Sequence, residues 1–327
     1  MHLHRNGEGG TAEALQDEIH NATDFDIELR CPICHGKVDD LDCAQCGFHL
    51  RTDRGIVRAL APHRILHYAQ FIEDYQRIRK AEGRGSESDE YYLNLPYCDV
   101  TGSNSGQWQI RARSFVCLME KLIAPAMPAG ARILDLGSGN CWLSFRLAAT
   151  GYSPTAVDIL TNDNDGLGAA EHYRGHLRTL FPRFCAELGN LPFQDGQFNG
   201  AIFNASFHYA EDDEAALREA LRCVADGGFV AICDTPWYSK DRSGRQMVEE
   251  RRAHFMQQYG TDSASLRSIE YLTDRRLTHL EERLSIRWTR YLPSYGLPWA
   301  LRPLVARFRG RREPARFRIY VAQKVAP

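Results

Sequence analysis

Residues 133–148, ILDLGSGNCWLSFRLA, constrain this chain more than any other stretch. An apolar run ending at Leu136 enters Gly137-Ser138-Gly139, and a helical segment begins at about Asn140. Glycine at both positions lets a ligand approach the backbone where a side chain would fill the space. Nineteen residues beyond Gly139, Asp158 ends the next apolar run, where a carboxylate can accept both hydrogen bonds of a ribose diol. A tight turn without a ligand is the rival reading, and the strand before, the helix after and the acid at this interval all disfavour it. A dinucleotide fingerprint, G-x-G-x-x-G, needs a third glycine where Trp142 stands, so the close helix packing that NAD requires is missing.

The surrounding pattern extends the same grammar. Short apolar runs at 131–136, 155–158, 183–187, 200–204 and 228–234 read as buried strands, with amphipathic segments between them. The clearest helix is EDDEAALREALRCVA, which opens with acids as a helix N-terminus prefers. This alternation predicts βαβ units and an α/β fold with a doubly wound, mostly parallel sheet of about seven strands. The tail adds helices at about 243–259 and 273–284 and two strand candidates, LSIRWTRYL and ARFRIYVAQK, suited to an antiparallel edge. Upstream, residues 62–95 read as helix, with Ile65, Tyr68, Ala69, Ile72, Tyr75 and Ile78 at three- and four-residue steps. A second helix is expected from about Trp108 to Ile123, ahead of Pro125.

Taken together, these motifs resemble the class I S-adenosylmethionine-dependent methyltransferases over about residues 131–234. ILDLGSGN matches the family's donor-binding first motif, with Asp135, Gly137, Ser138 and Gly139 in place, and Asp158, followed by Ile159, matches its ribose-binding acid. AELGNLPFQDGQFNGAIFNASFHY is similar to the segment in which an acid precedes an LPF turn and a strand ends beside the reactive methyl. The resemblance implies that Glu187, followed by Leu188, reads the adenine amine and that Asn204 to His208 border the substrate. EALRCVADGGFVAICD is similar to the helix, turn and strand that follow. Cys141, Asn199 and Asp226 depart from common family residues at positions away from the donor's charged and ribose groups. Within this pattern His208 is the candidate general base, Tyr209 its neighbour at the site, and Arg111 a candidate partner for the donor's methionine carboxylate. Trp237 and Tyr238 are rim candidates, and Tyr91, Tyr92 and Trp108 belong to a segment expected to fold over the donor.

Cys31-x-x-Cys34 and Cys43-x-x-Cys46 fall within sixteen positions, while the other six cysteines are scattered singly in apolar stretches. Two such pairs can converge four thiolates on one tetrahedral Zn²⁺, a closed and therefore structural site. Disulfides or free thiols are the alternatives, and His35 and His49 stand close enough in sequence to be substitute ligands. The module is similar to small zinc domains that precede some bacterial methyltransferases, to the zinc fold of a shared methyltransferase activator subunit, and to the zinc end of an rRNA guanine methyltransferase.

Composition narrows the partners. With 40 Lys+Arg against 42 Asp+Glu the formal net charge is -2, which argues against a surface that coats nucleic acid throughout. From Leu301 onward, however, eight cations stand against Glu313 alone. Either they form a phosphate-binding face or they are solvated along a strand with outward arginines. No apolar run reaches the ~18 residues of a membrane span, and the polar start does not read as a secretory signal, so a cytoplasmic protein is expected. The expected organisation is a flexible lead-in (1–24), a zinc module (25–60), a helical linker or lid (61–128) and an S-adenosylmethionine-binding domain (129–327). A small-molecule methyl acceptor is the leading expectation. An RNA base held by the zinc module and basic tail is the alternative, and a non-catalytic binding protein is a third.

Overall fold

The computed structural model describes residues 26–325, so the lead-in expected over 1–24 lies outside the described residues. Twelve strands occur in chain order: β1 (Leu29–Arg30), β2 (Lys37–Asp39), β3 (Asp42–Cys43), β4 (Arg51–Asp53), β5 (Ile56–Arg58), β6 (Arg132–Leu136), β7 (Ser153–Asp158), β8 (Arg183–Cys185), β9 (Phe198–Asn204), β10 (Val224–Cys233), β11 (Trp288–Tyr291) and β12 (Ile319–Gln323). The first three make a small antiparallel sheet, and the other nine form one sheet in the order β11-β12-β10-β9-β6-β7-β8-β5-β4. From β10 through β5 every pairing is parallel. As expected, the two tail strands form an antiparallel edge, with β12 seated between β10 and β11.

The chain leaves β6 outward through β7 and β8, then returns to β9 on the other side of β6. The order therefore reverses between β6 and β9, and a crevice opens outside their carboxyl ends, the place where ligands bind in such sheets. Two apolar layers cover the sheet because successive residues of a strand point to opposite faces. Ile133, Ile202 and Ala231 pack with Trp142, Phe145 and Phe115. Leu134, Phe203 and Val230 face Leu217 and Leu277.

Nine strands exceed the seven expected, and the additional pair comes from RTDRGIVR, which the sequence placed with the zinc module. Arg54 and Gly55 both have positive φ (49° and 67°) and close a two-residue hairpin between β4 and β5. Ile56 and Val57 are buried, and β5 pairs with the short β8, covering an edge that would otherwise expose unpaired backbone.

Among the described residues, nine α-helices are distributed around this frame: α1 (Pro62–Ala81), α2 (Asp89–Asn94), α3 (Ser105–Leu118), α4 (Ala124–Ala126), α5 (Trp142–Ala149), α6 (Asp213–Cys223), α7 (Asp241–Tyr259), α8 (Asp274–Leu284) and α9 (Leu297–Phe308). A π-helical turn, Met119–Ile123, joins α3 to α4. The single helix expected over 62–95 is broken between α1 and α2, where Ser88 caps α2 by accepting from the Glu90 N–H. Tyr68, Phe71 and Ile78 form the buried face of α1, whereas Ile65, expected on that face, is exposed. Asp212 caps α6 through the Ala215 N–H at 2.9 Å, ahead of the acidic first turn. The sequence reading contained no helix at α9, and none of its residues is buried. Among the described residues, no helix is long and apolar enough to cross a membrane.

Candidate functional site

The glycine loop sits at the switch point in the conformation its composition requires. Gly137 and Gly139 have φ of 72° and 53°, and a Cβ on Gly137 would stand 2.3 Å from the Ser206 Cβ. The Gly137 and Ser138 N–H groups donate to Val157 O at 2.8 and 3.0 Å, tying the loop to β7. Asp158 ends β7 and accepts from Gly139 N–H and Leu160 N–H, both at 2.8 Å. Burial pushes its carboxyl up to about 6, against the pull of those two N–H donors. Asp135 stands behind the loop, accepting from the Ser144 N–H and hydroxyl at the start of α5, and its Oδ1 is buried without a partner. Burial raises that carboxyl to about 7.

An open cleft brings together Gly137, Gly139, Asp158, Ile159, Glu187 and Leu188, each taken from the carboxyl end of β6, β7 or β8. Asp135, Ser138 and Asn204 do not line it, and Arg111 lines a neighbouring cavity instead. The sequence reading missed the groups that α1 contributes. Arg64 Nε donates to Glu187 Oε2 at 2.7 Å, and Tyr68 OH donates to the same oxygen at 3.0 Å and to Glu211 Oε2 at 2.8 Å. Arg64 also pairs with Glu211. The carboxylate expected to read an adenine amine is thus held by a helix more than a hundred residues upstream, for which no local pattern exists.

A second cavity adjoins the first, sharing Phe71, Tyr75, Ala205 and Tyr209 with it. Tyr75 and Tyr209 meet edge to face at 5.6 Å in that shared wall. His208 and Arg111 line only the second cavity. His208 Nδ1 is buried without a partner, and burial, reinforced by Arg251 and Arg111, lowers its pKa to about 3. Arg111 is itself lowered to about 10, by burial first and then by Arg84 and Arg79. Asp234, just past β10 and absent from the sequence candidates, also lines this cavity; it accepts from Ser114 Oγ, and burial raises it to about 6.

Other aromatic candidates have structural places. Trp237 and Tyr238 are buried and line neither cavity. Trp237 exchanges backbone hydrogen bonds with Arg316 and lies 3.6 Å under the Arg318 guanidinium, so rim residues are corrected to packing residues. Tyr91, Tyr92 and Trp108 are likewise core, with the Tyr92 hydroxyl donating to the Ser86 and Asn164 carbonyls.

The four cysteines converge. Their sulfurs lie within 4.8 Å of one another, with Cys34 to Cys43 at 3.3 Å and Cys31 to Cys46 at 3.6 Å. A tetrahedral ion with Zn–S bonds near 2.3 Å places its sulfurs about 3.8 Å apart, so the donor set fits Zn²⁺. Each pair forms the same turn: His35 N–H donates to Cys31 O and Gly47 N–H to Cys43 O, with positive φ at both residues. His49 is bonded to Asp42 and stands outside the cluster. This module touches the cleft: Arg30 N–H donates to Pro192 O at 3.0 Å, and Asn190, which lines the cleft, donates to Pro32 O at 2.8 Å.

Sheet order, glycine loop and acids define a Rossmann-like α/β fold of the methyltransferase type. Residues 134–232 match the family model described as a methyltransferase domain. An arsenite methyltransferase of Aquipseudomonas alcaligenes is 27% identical over 152 residues, 44% of this chain and 41% of that protein. A demethylmenaquinone methyltransferase of Clavibacter sepedonicus is 29% identical over 158 residues, 47% of this chain and 60% of that protein. The chain thus spans between 41% and 60% of the length of these curated relatives. Among solved structures, phosphoethanolamine N-methyltransferase 2 of Haemonchus contortus in complex with S-adenosyl-L-methionine aligns with a TM-score of 0.46 at 13% identity, over 74% of this chain and 61% of that one.

Proposed function

We propose that this protein transfers a methyl group from S-adenosylmethionine to a small-molecule acceptor. One observation carries the reading: the cleft joins a glycine loop that a single Cβ would block to the carboxylates Asp158 and Glu187 at the ends of adjacent strands. When bound, the donor supplies an electrophilic methyl on a sulfonium, which leaves as a neutral thioether once an acceptor lone pair takes the methyl. Asp158 is suited to accept from a ribose diol, and Ile159 and Leu188 offer apolar surface to a planar base. Glu187 can accept from an exocyclic amine in exchange for one of its bonds to Arg64 and Tyr68. The shared wall of Phe71, Tyr75, Ala205 and Tyr209 marks where the methyl would pass, because it borders both cavities. An aromatic wall of this kind also suits a cationic sulfur centre.

The protein's task is then alignment and exclusion of water. At neutral pH His208 is an uncharged imidazole and a weak base, so it serves first as a hydrogen-bond partner. Charge entering the second cavity would oppose Arg111 and Arg251 and raise its basicity. The four cysteines would hold one structural zinc, whose closed ligand set leaves no position for chemistry. Arsenite, menaquinone and acyl-carrier relatives point to acceptors outside nucleic acid and support a small-molecule reading.

Calorimetric titration with S-adenosylmethionine and S-adenosylhomocysteine, with NAD as control, tests this reading. The two sulfur ligands should bind and NAD should not, and Asp158→Ala should weaken both by about tenfold or more, the worth of a charge-assisted hydrogen-bond pair. Binding of NAD alone, or an Asp158→Ala protein with unchanged affinity, would overturn the donor assignment.

A further inference from the structure

The second cavity holds cationic donors that its own carboxylates leave unmatched. Arg84 follows α1, is almost wholly buried, and gives Nε to Glu82 and Nη2 to Gln107, while its Nη1 is buried without a partner. Arg251 on α7 gives Nη2 to Glu270 at 2.6 Å, and its Nε is likewise unmatched. Arg111 on α3 has no carboxylate partner among the described residues; its guanidinium lies 4.7 Å over the Trp108 ring. Of the remaining charged groups, Arg79 is paired with Asp165, Glu82 and Glu270 are engaged as described, and Asp234 takes the Ser114 hydroxyl on Oδ1 while its Oδ2 is buried without a partner. Phe71, Ile110, Met247 and Phe255 make much of the rest of the lining.

A buried guanidinium N–H without an acceptor is costly, and a planar fork is best matched by carboxylate or phosphate oxygens. Arg84 and Arg251 each bring one such N–H and Arg111 a guanidinium without a carboxylate partner among the described residues, and the three come from separate segments into one accessible cavity whose single unmatched carboxylate oxygen, on Asp234, is too few for them. The apolar lining suits the body of the same ligand. The glycine loop and Asp158 belong to the other cleft, which separates this anion site from the nucleoside end of the donor. We propose that the second cavity is the acceptor site, and that the acceptor is an apolar molecule bearing a carboxylate or phosphate gripped by Arg84, Arg111 and Arg251. This assignment of an acceptor rests on the donor reading of the first cleft.

Benzoate and phenyl phosphate, with benzyl alcohol as the neutral counterpart, probe the site by calorimetry at fixed ionic strength, with and without saturating S-adenosylhomocysteine. At least one anion should bind at least tenfold more tightly than the alcohol, and which one does so separates carboxylate from phosphate. Arg111→Gln and Arg251→Gln should each weaken that anion by about tenfold while S-adenosylhomocysteine affinity stays within about twofold. Arg111→Gln removes a cation that holds no carboxylate, so it carries the test if the Arg251 variant does not fold. Equal binding of alcohol and anions, or variants that leave the anion untouched, would overturn the proposal. So would variants that weaken S-adenosylhomocysteine instead, because the arginines would then belong to the donor's carboxylate. Arginine-dependent anion binding without any S-adenosylhomocysteine binding would keep the anion site and sink the donor reading.

A separate observation concerns α9. Leu297, Leu301, Leu304 and Phe308 recur at steps of four, three and four, which places them on one stripe of the helix. They are 79%, 51%, 53% and 90% exposed, an apolar face of which each side chain is at least half open among the described residues. Arg302, Arg307, Arg309 and Arg311 flank this stripe, and none of the four pairs with a carboxylate among the described residues. An apolar helical face rimmed by cations is the arrangement that settles into the headgroup region of an anionic bilayer. A second copy docked on the same stripe would bring the arginines of both copies together. We infer that α9 seats the protein on an anionic lipid surface. Cosedimentation with vesicles of phosphatidylcholine containing about one third phosphatidylglycerol should capture the protein, whereas phosphatidylcholine alone should not. Leu304→Glu with Phe308→Glu should abolish capture and leave S-adenosylhomocysteine binding intact. Failure to bind the anionic vesicles, or a dimer in light scattering that the same pair of substitutions dissolves, would refute the lipid assignment.

Discussion

Replacing Gly137 by alanine tests the geometry of the donor loop at one atom. At φ of 72° an L-residue is strained by roughly 1–2 kcal/mol. The new Cβ also lands 2.3 Å from the Ser206 Cβ, and forcing such an overlap apart in a packed site costs about 1–3 kcal/mol. A central value near 3 kcal/mol lowers Tm by roughly 6–12 °C, at 2–4 °C per kcal/mol for larger domains. Gly139→Ala carries the φ strain alone, since its Cβ meets only Asp165 O at 3.7 Å. It should melt closer to the parent protein yet bind S-adenosylhomocysteine poorly, because the methyl enters the cleft lining. Ser206→Gly removes the obstructing Cβ and sacrifices the hydroxyl's bond to Leu136 O, worth about 1 kcal/mol. The double variant Gly137→Ala with Ser206→Gly should therefore be more stable than the two single losses add up to, by about 1–3 kcal/mol. Scanning calorimetry of the four proteins reads this directly. Strict additivity, or a Gly139→Ala protein less stable than Gly137→Ala, would refute the argument from close approach.

Three further outcomes are expected. Metal analysis should find one zinc per chain, and stripping it with a chelator should weaken S-adenosylhomocysteine binding as well as unfold the module, because Pro32 O holds the cleft residue Asn190. Donor affinity unchanged after zinc loss would break that link. Burial raises Asp135, Asp158 and Asp234 from 3.8 to about 7, 6 and 6, so their contribution to stability is full at acid pH below about 4 and is lost progressively as pH rises from about 4 to about 7. Donor binding should run the other way, strengthening through pH 6 as Asp158 ionises, and an Asp158→Asn protein should show no such rise. Finally, Ser114→Ala removes the donor to Asp234 Oδ1, leaving both carboxylate oxygens of a buried acid without one, and should destabilise the fold by about 1–3 kcal/mol, measured by urea unfolding.

Local chemistry made much of this protein readable from its residues alone. The glycine loop, Asp158, the alternation of strands and helices and the paired cysteines each encode their geometry within some twenty positions, through φ preference, periodicity and ligand spacing. Whatever depended on distant segments meeting was decided only in three dimensions. The residues of RTDRGIVR pattern equally well as the end of a metal module and as an edge hairpin; burial against β8 selects the hairpin. Arg64 reaches Glu187 across 123 positions, and Arg84, Arg111 and Arg251 share a cavity although in sequence Arg111 and Arg251 look like any charged helix-surface residue and Arg84 like part of a loop. Trp237 and Tyr238 invited a rim assignment from their place after a strand, but the tail folds over them and buries both. A sequence pattern records which face of an element is apolar. Which partner that face finds is settled when the chain reverses at the switch point and brings α1, α3 and α7 around the carboxyl edge of the sheet.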